Sequence, residues 1–74
     1  MFLFQVFWRT RSAGYYKIHR AFVEAEDRAD AIEIMESWLP ENAVITHLYK
    51  ATRDSMMPWD IMYYRKEESY DKRN

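Results

Sequence analysis

Residues 2–8 predict a β-strand whose two faces are both apolar. Phe2, Phe4, Val6 and Trp8 alternate with Leu3, Gln5 and Phe7. Successive side chains of a strand point to opposite faces of its sheet. The 74-residue chain carries a single segment with helical periodicity, and one helix can cover only one face of a sheet. The other apolar face therefore needs a cover from the C-terminal part of the chain or from another molecule.

The chain length and the lack of cysteine limit how this protein is stabilised. A chain of 74 residues forms one domain, and a domain this small buries about 60–65% of the surface that its unfolded chain exposes. Oligomerisation is a common source of additional stability at this size. Disulfides and thiolate metal sites are excluded. The apolar run 1–8 is too short for a bilayer and lacks a basic segment before it, so we interpret it as a strand of a cytoplasmic protein.

Charge is segregated along the sequence, although the net charge is only -1. Residues 1–23 contain four basic and no acidic residues, whereas residues 24–42 contain seven acidic residues and one arginine. The first segment is a predicted hairpin and the second is mostly a predicted helix. A basic hairpin and an acidic helix can attract each other in neighbouring copies, and the hairpin can also attract phosphate.

A β-hairpin is predicted from strands at 2–10 and 15–24. Both segments are rich in aromatic and β-branched residues, and the turn at 12–14 contains the only glycine of the chain. The sequence leaves the register open. In one register Trp8 lies opposite Ile18. A shift of one residue instead places Lys17, His19 and Ala21 of the second strand on the same face as Trp8.

An amphipathic helix is predicted to begin after Asp27 and to end at Pro40. Asp27 is a favourable N-cap, and Asp30 adds an acid to the first turn, where the helix dipole favours it. Residues 43–52 then alternate as a third strand. The predicted buried face of the helix consists of Ala31, Ile32, Met35, Trp38 and Leu39.

The C-terminal third predicts a loop at 53–58, a fourth strand at 59–66 and a flexible charged tail at 67–74. A short helix at 59–66 is the alternative, but the aromatic residues in this segment favour a strand. The sequence as a whole therefore predicts a single α+β domain at 1–66. Its antiparallel sheet has three to four strands in the order β-β-α-β, and one helix packs on one face.

The titratable and nucleophilic residues form no catalytic or metal-binding pattern. His19 and His47 lie in predicted strands outside any catalytic motif, and Asp54 and Asp60 fit turn positions. A single glycine is too few for a phosphate-binding loop. We therefore predict no enzymatic activity, no metal and no cofactor.

Two segments carry residues typical of binding surfaces. Tyr, Trp, Phe, Met and Arg are enriched in interface cores, and the segment 55–65 is rich in them, although it could instead fold back as the missing cover of the sheet. In the hairpin, aromatic residues interleave with cations, a pattern that also suits single-stranded nucleic acid. The predicted partner-binding residues are Trp8, Arg9, Arg11, Tyr15, Tyr16, Lys17 and Arg20 of the hairpin, and Met57, Trp59, Tyr63 and Tyr64 of the C-terminal segment.

The predicted helix also carries a row of acids, which is a second candidate surface. Such a row can imitate the charges of a phosphate backbone, although it is more often simply a solvated helix face. The residues concerned are Asp30, Glu33 and Glu36 of the helix, with Glu26 before it.

The segment 22–32 is similar to the strand-to-helix junction of many small α+β proteins. The whole chain, which is short and cysteine-free with one glycine and many aromatics, resembles small bacteriophage proteins that inhibit host factors, including anti-CRISPR proteins. This resemblance implies occlusion of a host or defence protein in the host-cell cytoplasm and assigns no residue role. We therefore predict a non-enzymatic protein-binding module that forms homodimers. A single-stranded nucleic-acid binder and an oligomer that sequesters a nucleotide-like ligand are the alternatives.

Overall fold

A computed structural model describes residues 1–66, which form four strands and one α-helix. The elements are β1 (Phe2–Ser12), β2 (Tyr15–Ala25), α1 (Arg28–Trp38), β3 (Ala43–Lys50), a 3₁₀ turn (Arg53–Ser55) and β4 (Met62–Tyr63). The strands form one sheet in the order β3-β1-β2-β4, and α1 packs on one face of it. The predicted α+β architecture is confirmed. The charged tail predicted at 67–74 lies outside the described residues.

The sheet is mixed rather than wholly antiparallel, because β4 runs parallel to β2. The predicted fourth strand is present but shorter than 59–66, since β4 pairs with β2 only through Met62 and Tyr63. β3 and β4 lie at opposite edges of the sheet. The chain between them, residues 51–61, must therefore cross the sheet, and we call this segment the crossover.

The hairpin adopts the second of the two registers that the sequence left open. Trp8 lies opposite His19, and Val6 lies opposite Ala21. This register places Ala21, Val23 and Ala25 on the face that packs against α1, where all three are completely buried. The other register would have turned Arg20 and Glu24 towards the helix, so burial decides the register.

The hairpin turn consists of Ala13 and Gly14, which both have positive φ, at 52° and 88°. A two-residue turn with this geometry matches the twist of the flanking strands and favours the sequence Asn-Gly. Ala13 lacks the short polar side chain that stabilises this left-handed conformation, which costs an ordinary residue about 1–2 kcal/mol. The backbone conformation of Ala13 therefore lowers the free energy of unfolding.

We expect Ala13→Asn to raise the free energy of unfolding by about 1 kcal/mol, because asparagine tolerates positive φ. Gly14→Ala should lower it by about 1 kcal/mol. A Cβ at Gly14 would meet no atom within 4 Å, so this loss would report backbone strain alone. Urea denaturation measures both changes. An unchanged unfolding midpoint for Ala13→Asn would contradict the assignment of strain to Ala13.

Helix α1 begins with a reciprocal cap, as the acidic residues around Asp27 predict. Asp27 Oδ1 accepts a hydrogen bond from Asp30 N at 2.8 Å, and Asp30 Oδ2 accepts one from Glu26 N at 2.9 Å. Two free backbone N–H groups are satisfied in this way. The helix ends at Trp38, two residues before Pro40. α1 is the one α-helix within residues 1–66, and it is not long and apolar enough to cross a membrane.

The main core lies between α1 and one face of the sheet. Ile34, which the sequence pattern missed, is buried, whereas Trp38, which it placed on the buried face, is 44% exposed. The helix extends past the core at Trp38, whose ring instead packs against Tyr63 of β4 with centroids 5.7 Å apart. The core consists of Phe4, Val6, Trp8, Ala21, Val23, Ala25, Ala31, Ile34, Met35 and Leu48.

The sheet face opposite α1 is called the second face here. The crossover covers its inner half, which lies away from the hairpin turn. Arg20 and Glu24 project from this face of β2, and both bind the crossover: Arg20 donates to two of its oxygen atoms at 2.8 and 3.1 Å, and Glu24 accepts from Arg53 at 2.6 Å. Phe22, which lies between them, is completely buried, and its neighbour Gln5 is only 9% exposed. The chain itself therefore covers half of the second apolar face.

Candidate functional site

The outer half of the second sheet face, towards the hairpin turn, exposes apolar and basic side chains. We call this surface the open-face patch, and it consists of Phe7, Arg9, Arg11, Tyr16, Ile18, Val44, His47 and Tyr49. Ile18 is 66% exposed and Tyr16 is 55% exposed, while Val44 and Tyr49 are about half exposed. Among residues 1–66, none covers these side chains as the crossover covers Phe22.

Three neighbouring strands build the open-face patch. Phe7 of β1 meets His47 of β3 edge to face, with ring centroids 6.2 Å apart, and lies at the same distance from Tyr49. A β-bulge at Thr46 shifts the pairing of β3 between Phe7 and the next residue of β1. Because of this shift, Val44 lies on the side of the patch instead of facing the core.

The open-face patch carries positive charge. The guanidinium carbons of Arg9 and Arg11 lie 4.9 and 5.8 Å from the ring centroid of Tyr16, within the range of cation–π attraction. None of the acidic residues that the structure describes belongs to the patch. Helix α1, which carries Asp30, Glu33 and Glu36, packs on the opposite face of the sheet. The patch therefore favours a partner with negative charge.

A second concave surface lies on the helix side of the sheet, beyond the end of α1. We call it the hairpin cleft, and it is lined chiefly by Trp8, Thr10, Tyr15, Lys17, His19, Trp38, Asn42 and Tyr63. Its volume is about 510 Å³. The cleft exists because α1 ends at Trp38, while β1 and β2 continue as far as Ser12 and Tyr15. The two sides of the hairpin thus present two different surfaces.

The predicted hairpin residues separate between these two surfaces. Trp8 is only 8% exposed and belongs to the core, so the hairpin does not present one surface centred on it. Tyr15 and Lys17 line the cleft, whereas Arg9, Arg11, Tyr16 and Arg20 lie on the second face. Sequence reasoning missed five members of the patch, namely Phe7, Ile18, Val44, His47 and Tyr49.

The predicted C-terminal residues lie on the crossover and around β4. Met57 and Trp59 belong to the crossover and are 45% and 75% exposed. Tyr63 lines the hairpin cleft. Tyr64 is exposed, and its carbonyl oxygen accepts a hydrogen bond from Trp38 Nε1 at 2.7 Å. None of these residues lines the groove of the open-face patch, which Phe7, Arg9, Ile18, Thr46, His47 and Tyr49 form.

The predicted acidic surface is partly engaged by the rest of the chain. Asp30 caps the helix and forms an ion pair with Arg65, and its side chain is only 14% exposed. Glu33 lies 3.8 Å from the same guanidinium. Glu26 and Glu36 are exposed. Asp30 therefore does not contribute a free charge to this surface.

The two histidines lie on opposite faces of the sheet. His19 lies opposite Trp8 in the strand register, and its Nε2 shares a hydrogen bond with Thr10 Oγ1 at 2.9 Å. His47 lies opposite Phe7. They cannot share a metal ion in this arrangement. Within the described part of the chain, no group of three or more His, Cys, Asp or Glu side chains could hold one.

Comparison with known proteins gives no match. No family model, curated protein or solved structure is significantly similar to this chain. The chemistry of the open-face patch and the hairpin cleft therefore carries the functional proposals.

Proposed function

We propose that this chain is a small non-enzymatic binding module that occludes a partner protein, with the open-face patch as its working surface. The observation that supports this is a contiguous group of exposed apolar side chains, including Ile18, Val44 and Tyr49. Scattered apolar exposure is ordinary, but a contiguous patch is typical of an interaction site. Tyr, Phe and Arg, which all occur in the patch, are enriched in interface cores.

The charge of the patch favours a foreign partner with an acidic rim. Two copies that met face to face through the patch would bring Arg9 and Arg11 close to the same residues of the other copy, without an acid of the patch to compensate. A second copy of this chain is the competing occupant, because the sequence predicts self-association through this face. In our proposal the protein acts in the cytoplasm of a host cell as a phage-type inhibitor of a host or defence protein, as its size and composition suggest.

Single-stranded nucleic acid is a second candidate for the same surface. Helix α1 packs on the opposite face of the sheet, and of its acids only Glu36 lines a groove with Val44 and His47 at the edge of the patch. The aromatic rings of Tyr16, Phe7 and Tyr49 lie on three neighbouring strands. Together with Arg9 and Arg11, they provide the stacking surfaces and phosphate contacts that such binding requires.

We expect Ile18→Glu to weaken partner binding at least about tenfold, because it places a charge in the apolar centre of the patch. The matched control is Ile61→Glu, since Ile61 is 57% exposed but lies in the crossover. Affinity capture from cells that contain the protein would identify the partner, and titration of purified components would measure the change. Equal binding by both variants would contradict a role for the patch.

Three measurements distinguish the occupants. Labelled single-stranded oligonucleotides should bind at low salt, and binding should weaken steeply between about 50 and 200 mM salt and with Arg9→Gln, if nucleic acid is the partner. Nuclease-resistant capture of a protein would support the first proposal. Light scattering that shows a dimer, dissociated by Ile18→Glu, would instead identify a second copy as the occupant.

A further inference from the structure

The hairpin cleft offers aromatic surfaces to a planar ligand. Trp8 is only 8% exposed and lies under His19, with ring centroids 5.2 Å apart and planes at 15°, so the rings that the cleft exposes most are those of Tyr15 and Trp38, at 60% and 44%. Tyr63 meets Trp8 edge-on at 6.4 Å, and Trp38 adds a further ring on the same side. The indole N–H of Trp38 already donates to Tyr64 O, so this side chain offers the cleft its ring rather than a donor. Such surfaces favour stacking of a heteroaromatic ring.

The charge at the cleft favours an anion. Lys17 lines it, and none of the acidic residues in the described part of the chain does. Lys17 forms no ion pair within residues 1–66. A lysine ammonium is a compact point charge that binds phosphate well.

The cleft also contains a few oriented polar groups. Asn42 Nδ2 donates to Arg11 O at 3.0 Å, which holds the amide and leaves its Oδ1 acceptor without a partner among the described residues. The hydrogen bond between Thr10 Oγ1 and His19 holds the imidazole against Trp8. The volume of about 510 Å³ lies within the range of small-molecule sites.

We propose that the hairpin cleft binds a nucleoside monophosphate. The base stacks on the aromatic side chains, the phosphate binds Lys17, and Asn42 accepts a hydrogen bond from the sugar or the base. A free aromatic ring would leave Lys17 unused, and inorganic phosphate would leave the aromatic surfaces unused. This site lies on the opposite side of the sheet from the open-face patch, so the inference is independent of the proposed function.

The test uses tryptophan fluorescence in a Trp59→Phe background. Trp59 is 75% exposed and lies in the crossover, so its replacement leaves Trp8 and Trp38, which both line the cleft. Titration with AMP and with UMP should give a saturable change with a dissociation constant below about 1 mM. Adenosine and inorganic phosphate should each bind at least about tenfold more weakly. The absence of a saturable change below about 10 mM for both nucleotides would overturn the proposal.

Variants of single cations locate the bound nucleotide. Lys17→Gln should weaken binding at least about tenfold, and Lys17→Arg should retain most of it. The matched control is Lys50→Gln, because Lys50 is also an exposed lysine but lies over the ring of Phe2, away from the cleft. Weakening by Arg9→Gln without an effect of Lys17→Gln would place the nucleotide on the open-face patch and overturn the assignment to the cleft.

Discussion

Replacing Phe22 by alanine is expected to lower the free energy of unfolding by about 3–5 kcal/mol. Phe22 is completely buried between the sheet and the crossover, and the Arg20 guanidinium lies 5.5 Å from its ring centroid. Its truncation leaves a cavity that the crossover cannot fill without breaking its own contacts to β2. A domain of this length has a stability of only about 4–11 kcal/mol, so the loss is a large fraction of the total. Urea unfolding followed by tryptophan fluorescence measures it.

The matched control is Ile18→Ala on the same face of the same strand. Ile18 lies four residues before Phe22 but is 66% exposed, so its truncation should change the free energy of unfolding by no more than about 0.5 kcal/mol. The contrast tests whether the crossover divides the second face into a covered inner half and an open outer half. Similar losses for the two variants, or tolerance of Phe22→Ala, would contradict this division.

The features that the sequence predicted correctly depend on short-range signals. Asp27 and Asp30 lie three residues apart, and their hydrogen bonds to the backbone define the start of α1. Pro40 marks its end, and the glycine at position 14 marks the hairpin turn. These signals lie within a few residues of the structure that they specify, so a single sequence suffices to read them.

The composition of the candidate surfaces could not be predicted in the same way. A shift of one residue in the hairpin register moves every side chain of β2 to the other face, and the sequence left that register open. Ile18 therefore could not be placed on the patch. The segment 55–65 was equally consistent with a partner surface and with a cover, and part of it proves to be the cover. Its contacts join Arg20 to Asp60, residues 40 positions apart, and no local pattern reports such a pair.

Arg20 and Asp60 hold the crossover on the sheet, and Arg20→Ala is expected to destabilise the protein by about 1–3 kcal/mol. Asp60 Oδ2 lies 2.8 Å from Arg20 Nη2, and the side chain of Asp60 is only 5% exposed. Removal of the arginine leaves a buried carboxylate with one remaining donor, Met57 N at 2.7 Å. The effect is smaller than for a fully buried ion pair because the Arg20 side chain is 37% exposed. Chemical denaturation measures the loss.

A double-mutant cycle separates this ion pair from the cavity and packing effects of the arginine. Asp60→Asn keeps a side-chain oxygen for Met57 N but removes the charge, so Arg20→Ala should cost less in the Asp60→Asn background than in the wild type. A coupling energy near zero would show that the pair does not hold the crossover.

The result also bears on function, because Arg20 was predicted to bind a partner. If the ion pair anchors the crossover, binding lost on replacing Arg20 reflects a displaced crossover, whereas binding lost with Ile18→Glu at unchanged stability reports the patch directly.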